Sequence, residues 1–147
     1  MDLVREAAVQ AWLAERRGRR QHDPALARLR ALCLALPEVT ERLSHGEPCW
    51  FIQSKRAFVS YSDHHHDDRL GFVCAGQPGA QQALLAADPA RFFVPPYVGG
   101  RGWLGVYLDV PDVDWDEVAD LVREAYLQVA PNRLAVSLAG NAAAHTS

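Results

Sequence analysis

Between residues 49 and 75 three short strand-like runs follow one another with little chain between them, and this constrains the fold more than any other feature. Residues 49–52 are short and apolar. Residues 56–61 set Ala57, Val59 and Tyr61 against Arg56, Phe58 and Ser60. Residues 69–75 place Leu70, Phe72 and Cys74 on one side. A parallel pair needs a crossover of a dozen or more residues, and these polar links are shorter, so the runs pair as antiparallel hairpins.

The flanking segments read as helices. Residues 3–17 carry Val4, Ala8, Ala11 and Trp12 along one stripe. Asp23-Pro24 is a helix start, an acid at the N-cap and proline at the first helical position. Leu26, Leu29, Leu32, Cys33 and Leu36 then form an apolar face, and Pro37 ends it. Residues 38–43 are expected to add a short turn of helix. A further helix is expected over residues 80–88, then strands over residues 91–94 and 103–109. In the second of these, Leu104, Val106 and Leu108 face one way and Trp103, Gly105 and Tyr107 the other. The last helix is capped by Asp114, with Glu117 three residues on, and repeats Trp115, Val118, Val122, Ala125 and Val129 at steps of three and four. Fraying is expected after Arg133.

The expected fold is α+β: a two-layer antiparallel sheet with helices on one face, in the order α-βββ-α-ββ-α, plus an extra N-terminal helix. Residues 1–22 form that helix and an Arg-rich linker, residues 23–137 the domain, and residues 138–147 a flexible tail. Leu29, Leu104, Val106, Leu108, Val118 and Val122 are expected to share one core. At 147 residues and 49% hydrophobic, the chain can bury such a core without staples. Cys33, Cys49 and Cys74 are odd in number, lie among apolar residues and form no C-x-x-C pair, which suits buried thiols in a reducing compartment. Asp2 and Glu6 stand where a signal peptide needs a basic start. No run suits a membrane span, so a cytoplasmic protein without membrane contact is expected.

Charge is uneven. Residues 1–22 hold five arginines against three acids, a net of +2, and residues 109–124 hold seven acids against Arg123, a net of −6. Capping and solubility account for most of that acidic segment. The overall net charge of −3 argues against a protein that coats nucleic acid by bulk charge alone.

Several segments carry a family resemblance. They are Ala35-Leu36-Pro37-Glu38-Val39-Thr40-Glu41, His45-Gly46-Glu47-Pro48, Lys55 with Phe58, Phe92-Phe93-Val94-Pro95-Pro96-Tyr97-Val98-Gly99, Gly102-Trp103-Leu104-Gly105-Val106 and Asp114-Trp115-Asp116-Glu117-Val118. From about Asp23 to Leu134 the chain resembles the MmcQ/YjbR family of small bacterial proteins. The Pro-Pro-Tyr segment followed by Gly-Trp is the most specific part. The resemblance implies a secretion-chaperone-like two-layer fold and a DNA-binding role of the double-wing type. On that reading Lys55, Arg56, Arg69, Arg91 and Arg101 supply phosphate contacts.

The residues themselves also point to the sheet face that the helices leave open. Trp103 and Tyr107 belong there, with Tyr97 and Arg101 at the rim. They pack under the 95–101 loop, or line a groove that stacks bases, holds a small ligand or meets a protein partner. Motifs for catalysis are weak. His45 and Cys49 lie four apart, but Gly46 and Pro48 break any helix that would align them. Asp63-His64-His65-His66-Asp67-Asp68 lies between two strands, where adjacent side chains diverge, so no specific metal is expected. Gly99-Gly100-Arg101-Gly102 opens no helix and does not form a phosphate cradle. A non-enzymatic binding protein without a cofactor is expected.

Overall fold

The computed structural model describes residues 4, 6–11, 23–63, 69–96 and 98–138. Its elements are α1 (Pro24–Leu34), β1 (Val39–Ser44), β2 (Glu47–Ile52), β3 (Arg56–Asp63), β4 (Leu70–Cys74), α2 (Ala80–Ala87), β5 (Phe92–Phe93), β6 (Leu104–Tyr107) and α3 (Trp115–Val129). The six strands form one antiparallel sheet in the order β1-β2-β3-β4-β6-β5. The expected α+β fold is therefore present, with one strand more than the sequence suggested.

The extra strand is β1, where a turn of helix was expected. A weak helical preference yields here to pairing with β2, from Val39 opposite Ile52 to Ser44 opposite Glu47. The two strands are joined by His45 and Gly46, both at positive φ (53° and 82°). That is the two-residue connection whose twist matches antiparallel strands, and glycine adopts it without strain. Glu41 sits opposite Trp50 and accepts the indole Nε1–H at 2.9 Å, while Arg30 of α1 donates to the same carboxylate at 2.8 and 3.1 Å. A buried tryptophan N–H is thus satisfied from the neighbouring strand.

Helix α1 starts as its sequence dictates. Asp23 Oδ1 accepts from the N–H groups of Ala25 (2.9 Å) and Leu26 (3.3 Å), and its Oδ2 accepts the Tyr61 hydroxyl. Leu26, Leu29 and Cys33 are fully buried at spacings of three and four. In α3, Asp114 accepts from Glu117 N–H at 3.1 Å, and Val118, Val122, Ala125 and Tyr126 are buried. All six residues expected to share the core do so.

Two further details differ from expectation. A bulge between Trp50 and Phe51 shifts the β2–β3 register, so Phe58 and Val59 are both buried rather than facing opposite ways. Phe58 meets Tyr126 edge-on, with ring centroids 5.7 Å apart. After an extended Ala130, helical backbone also resumes over residues 132–138, where fraying was expected after Arg133. Leu134 and Leu138, four apart, join the core, and Arg123 donates to the Leu138 carbonyl at 3.2 Å. Among the described residues no helix is long and apolar enough to cross a membrane. The Arg16–Arg20 segment, residues 64–68, Tyr97 and residues 139–147 lie outside the described residues.

A candidate ligand cavity on the open sheet face

The helices cover the sheet face that carries Trp50, Val59, Cys74 and Leu104, with Tyr61, Phe72, Val106 and Phe92 beside them. The other face follows from the register. One row runs Cys49, Ser60, Val73, Gly105, Phe93 across five strands. The next runs Ser62, Gly71, Tyr107, with Glu47 two residues before Cys49 on β2. Small residues occupy the middle of this face and large ones its flanks.

Over the middle lies a cavity of about 600 Å³. Its floor comprises Glu47, Cys49, Ala57, Ser60, Ser62 and Val73, with Tyr61 beside them. Pro95, Pro96, Val98 and Trp103 close it from the crossing loop, and Ser44 and His45 of the β1–β2 hairpin reach its rim. The loop is held from α2. Gln81, itself buried, donates from Nε2 to the Gly99 carbonyl at 2.8 Å and the Trp103 carbonyl at 2.6 Å. Its 3-10 turn, Gly99–Arg101, closes with Gly102 at φ 85°.

Most of the lining is apolar, with a few placed polar groups. Glu47 is 3% exposed and Ser62 7% exposed. Burial pushes the Cys49 thiol above its ordinary range, opposed by a hydrogen bond to Ser60 and by the Arg42 charge. The thiol is therefore protonated at neutral pH, a poor nucleophile but a weak donor. Burial, the bond to Asp23 and the charges of Asp23, Asp63 and Glu47 all push the Tyr61 phenol upward.

The residues named from sequence divide into groups. Trp103 lines the cavity and is half-buried. Tyr107 does not line it. Its ring stacks on Phe93 with centroids 4.6 Å apart, under the Arg69 guanidinium at 3.7 Å. Arg69 also binds Asp109 through Nε and Nη2 at 2.8 to 3.1 Å. Arg91 pairs with Asp88 at 3.2 Å and with Glu117, and lies over Phe92. Lys55 and Arg56 are exposed at the β2–β3 turn, and Arg101 is exposed on the crossing loop. Arg56 begins β3, whereas Arg69 adjoins the Leu70 that pairs with Asp63 at its end. Seven steps at ~3.3 Å separate those ends by roughly 23 Å. The five cations do not form one patch, and acids hold two of them.

Glu47, Ser60 and Val73 were not named as site residues. The available signal was alternation: Glu47 is the only acid in β2 and shares a face with Cys49. His45 and Cys49 do meet at one cavity, placed there by a hairpin rather than a helix.

Residues 34–128, about two thirds of the chain, match the family model described as YjbR. The chain belongs to the YjbR family. A similar solved structure is the Deinococcus radiodurans protein DR2400, described as a DUF419 domain. It shares 22% identity with a TM-score of 0.61, over 76% of this chain and 85% of that one, which is a likeness of fold. No curated protein sequence matches this YjbR-family chain.

Proposed function

We propose that this YjbR-family protein is a non-catalytic small-ligand-binding module whose site is the cavity on the open sheet face. The cavity itself carries the reading. It holds about 600 Å³ between an apolar roof of Pro95, Pro96, Val98 and Trp103 and a floor bearing Glu47, Cys49, Ser60 and Ser62. Size, apolar walls and a few convergent polar groups are what a small-molecule site combines. A DNA-binding role gains less support, because Arg69 and Arg91 are engaged by carboxylates and the remaining cations are spread.

A fragment screen by ¹⁵N-resolved NMR tests this directly. Hits at ~1 mM, the weak range in which fragments bind, are expected to shift resonances of Ser60, Val73 and the Trp103 indole. Val73→Phe, which fills the floor, should abolish those shifts while leaving the spectrum folded. A screen without cavity shifts, or hits that persist in Val73→Phe, would sink the proposal.

A further inference from the structure

We infer that β1 is a docking edge for a second copy of this chain. Two β1 strands pair antiparallel across a two-fold axis, Glu41 opposite Glu41, and join the two sheets into one. The inference is independent of the cavity. Three observations carry it.

The first is the direction of the β1 backbone. β1 is an outermost strand of six residues, whereas the opposite edge, β5, has two. Ser44 and Glu47 flank the two-residue turn, and Gln53 N–H donates to the Glu38 carbonyl at 2.8 Å. Hydrogen-bonded and non-bonded pairs alternate along an antiparallel ladder. The groups that β1 turns towards β2 are therefore those of Glu38, Thr40, Arg42 and Ser44. The N–H and C=O of Val39, Glu41 and Leu43 point out of the sheet, and among the described residues nothing takes them up.

The second is that nothing on β1 guards this edge. The strand holds no proline, lysine or bulge, the usual devices against edge pairing. Its two charges are turned away from the edge. Glu41 is held by Arg30 and the Trp50 indole, and the Arg42 guanidinium lies 3.6 Å over the Phe51 ring and donates to the Ser54 carbonyl. Each Glu41 reaches the axis with its own Arg30, which offsets the repulsion of like charges placed opposite each other.

The third is the apolar surface beside the strand. Leu43 is 66% exposed and lies on the helix-covered side with Glu41. Leu34, at the end of α1, is 44% exposed. Val136, 70% exposed, stands one helical turn beyond Arg133, which binds Glu38 just before the strand. A two-fold register centred on Glu41 sets Val39 of one copy opposite Leu43 of the other and pairs all three outward residues. The neighbouring registers leave one of them beyond the second strand.

Sedimentation velocity of the full chain from ~10 µM to ~1 mM tests this. A monomer–dimer equilibrium with Kd ~100 µM is expected, as an interface of one strand and a few side chains implies. In the ¹⁵N-labelled chain the amides of Val39, Glu41 and Leu43 should exchange ~3-fold more slowly at ~1 mM than at ~50 µM, while the cavity resonances of Ser60 and Val73 stay in place. Leu43→Lys, at an exposed position, should raise Kd at least ~10-fold. Leu43→Pro removes one outward N–H but no bond of the β1–β2 ladder, and should act likewise. Should Leu43→Pro fail to fold, Leu43→Lys decides alone. A chain that stays monomeric at ~1 mM overturns the inference. So does a dimer that Leu43→Lys leaves unchanged, or one in which the three amides exchange no more slowly, since its contact lies elsewhere. Slow exchange of those amides in a monomer, the mark of cover from within the chain, overturns it as well.

Discussion

Gly105→Ala is expected to destabilise the protein by about 2 kcal/mol. A Cβ at this position would lie 2.3 Å from Phe93 Cε2 and 2.4 Å from Cδ2 and Cζ, far inside the ~3.5 Å contact distance of carbon atoms. The Phe93 ring, 9% exposed and stacked on Tyr107, must tilt out or carry β5 with it. Overpacking of this kind costs ~1–3 kcal/mol, and losing the whole ring would cost ~3–5 kcal/mol. Because β5 is a two-residue edge strand, it yields more readily than a central one, which sets the value in the lower range. In a domain of this size the loss lowers Tm by roughly 4–8 °C. Thermal and urea unfolding followed by circular dichroism would measure it, with an unchanged m-value. The cause is isolated by a double-mutant cycle. Gly105 is not at positive φ, so in a Phe93→Ala background the added methyl meets no ring and should be neutral or slightly stabilising. An equal cost in both backgrounds, or no cost in either, would refute the steric argument.

Four further outcomes follow from the same contacts. Glu41→Ala removes the acceptor of the Trp50 indole N–H and should cost ~1–3 kcal/mol in urea unfolding, whereas Thr40→Ala on the exposed side of β1 should stay within ~0.5 kcal/mol. The Arg69 guanidinium holds the Asp109 carboxyl below its usual range, so this pair stabilises above the ordinary carboxylate pKa and loses that effect as pH falls through the lowered value. The Tm deficit of Asp109→Asn should therefore shrink on acidification from pH ~6 to ~3, and a growing deficit would contradict the assignment. Burial pushes the Cys74 thiol up to about 12 and raises Cys33 as well, and neither lines the cavity, so an aromatic disulfide reagent at pH ~8 should reach neither in the native protein and both after denaturation. Mixed-sequence duplex DNA should bind no more tightly than the ~10⁻⁴–10⁻⁶ M non-specific range, and a steep salt-dependent affinity beyond it would restore the nucleic-acid reading.

The sequence made the core legible because the core is periodic. Leu26, Leu29 and Cys33 on α1, and Val118, Val122 and Ala125 on α3, repeat at helical spacing, and Leu104 and Val106 alternate on β6; each ends up buried where its period places it. What failed was decided by strand pairing rather than by the period of any one segment. β1 is polar, with Thr40, Glu41, Arg42 and Ser44 in six residues, and only its pairing to β2 makes it a strand. The His45-Gly46 turn was the local clue to that hairpin. The Phe58 bulge depends on register, which no single strand encodes. The cavity was half legible. Trp103 was placed on the open face by alternation, but Glu47, Ser60 and Val73 come together only when three strands are laid in register.

The same register explains why a cavity forms there. The open face is graded in side-chain size: Gly71, Gly105, Ser60 and Ser62 at its centre, and Phe51, Phe93, Tyr107 and Trp103 towards its flanks. A sheet so tiled is concave where its side chains are short, and the 95–103 loop, held by Gln81, spans the hollow instead of filling it. The flanking rings need cover, and arginines supply it, Arg42 over Phe51 and Arg69 over Tyr107. These cations, one of them a phosphate-contact candidate from sequence, are therefore used to seal aromatic edges. That leaves Glu47 as the carboxylate on the cavity floor. The arrangement that commits these arginines to aromatic rings is the one that leaves the hollow open beneath the loop, which is why the ligand reading and the weakness of the DNA reading follow from a single distribution of side chains.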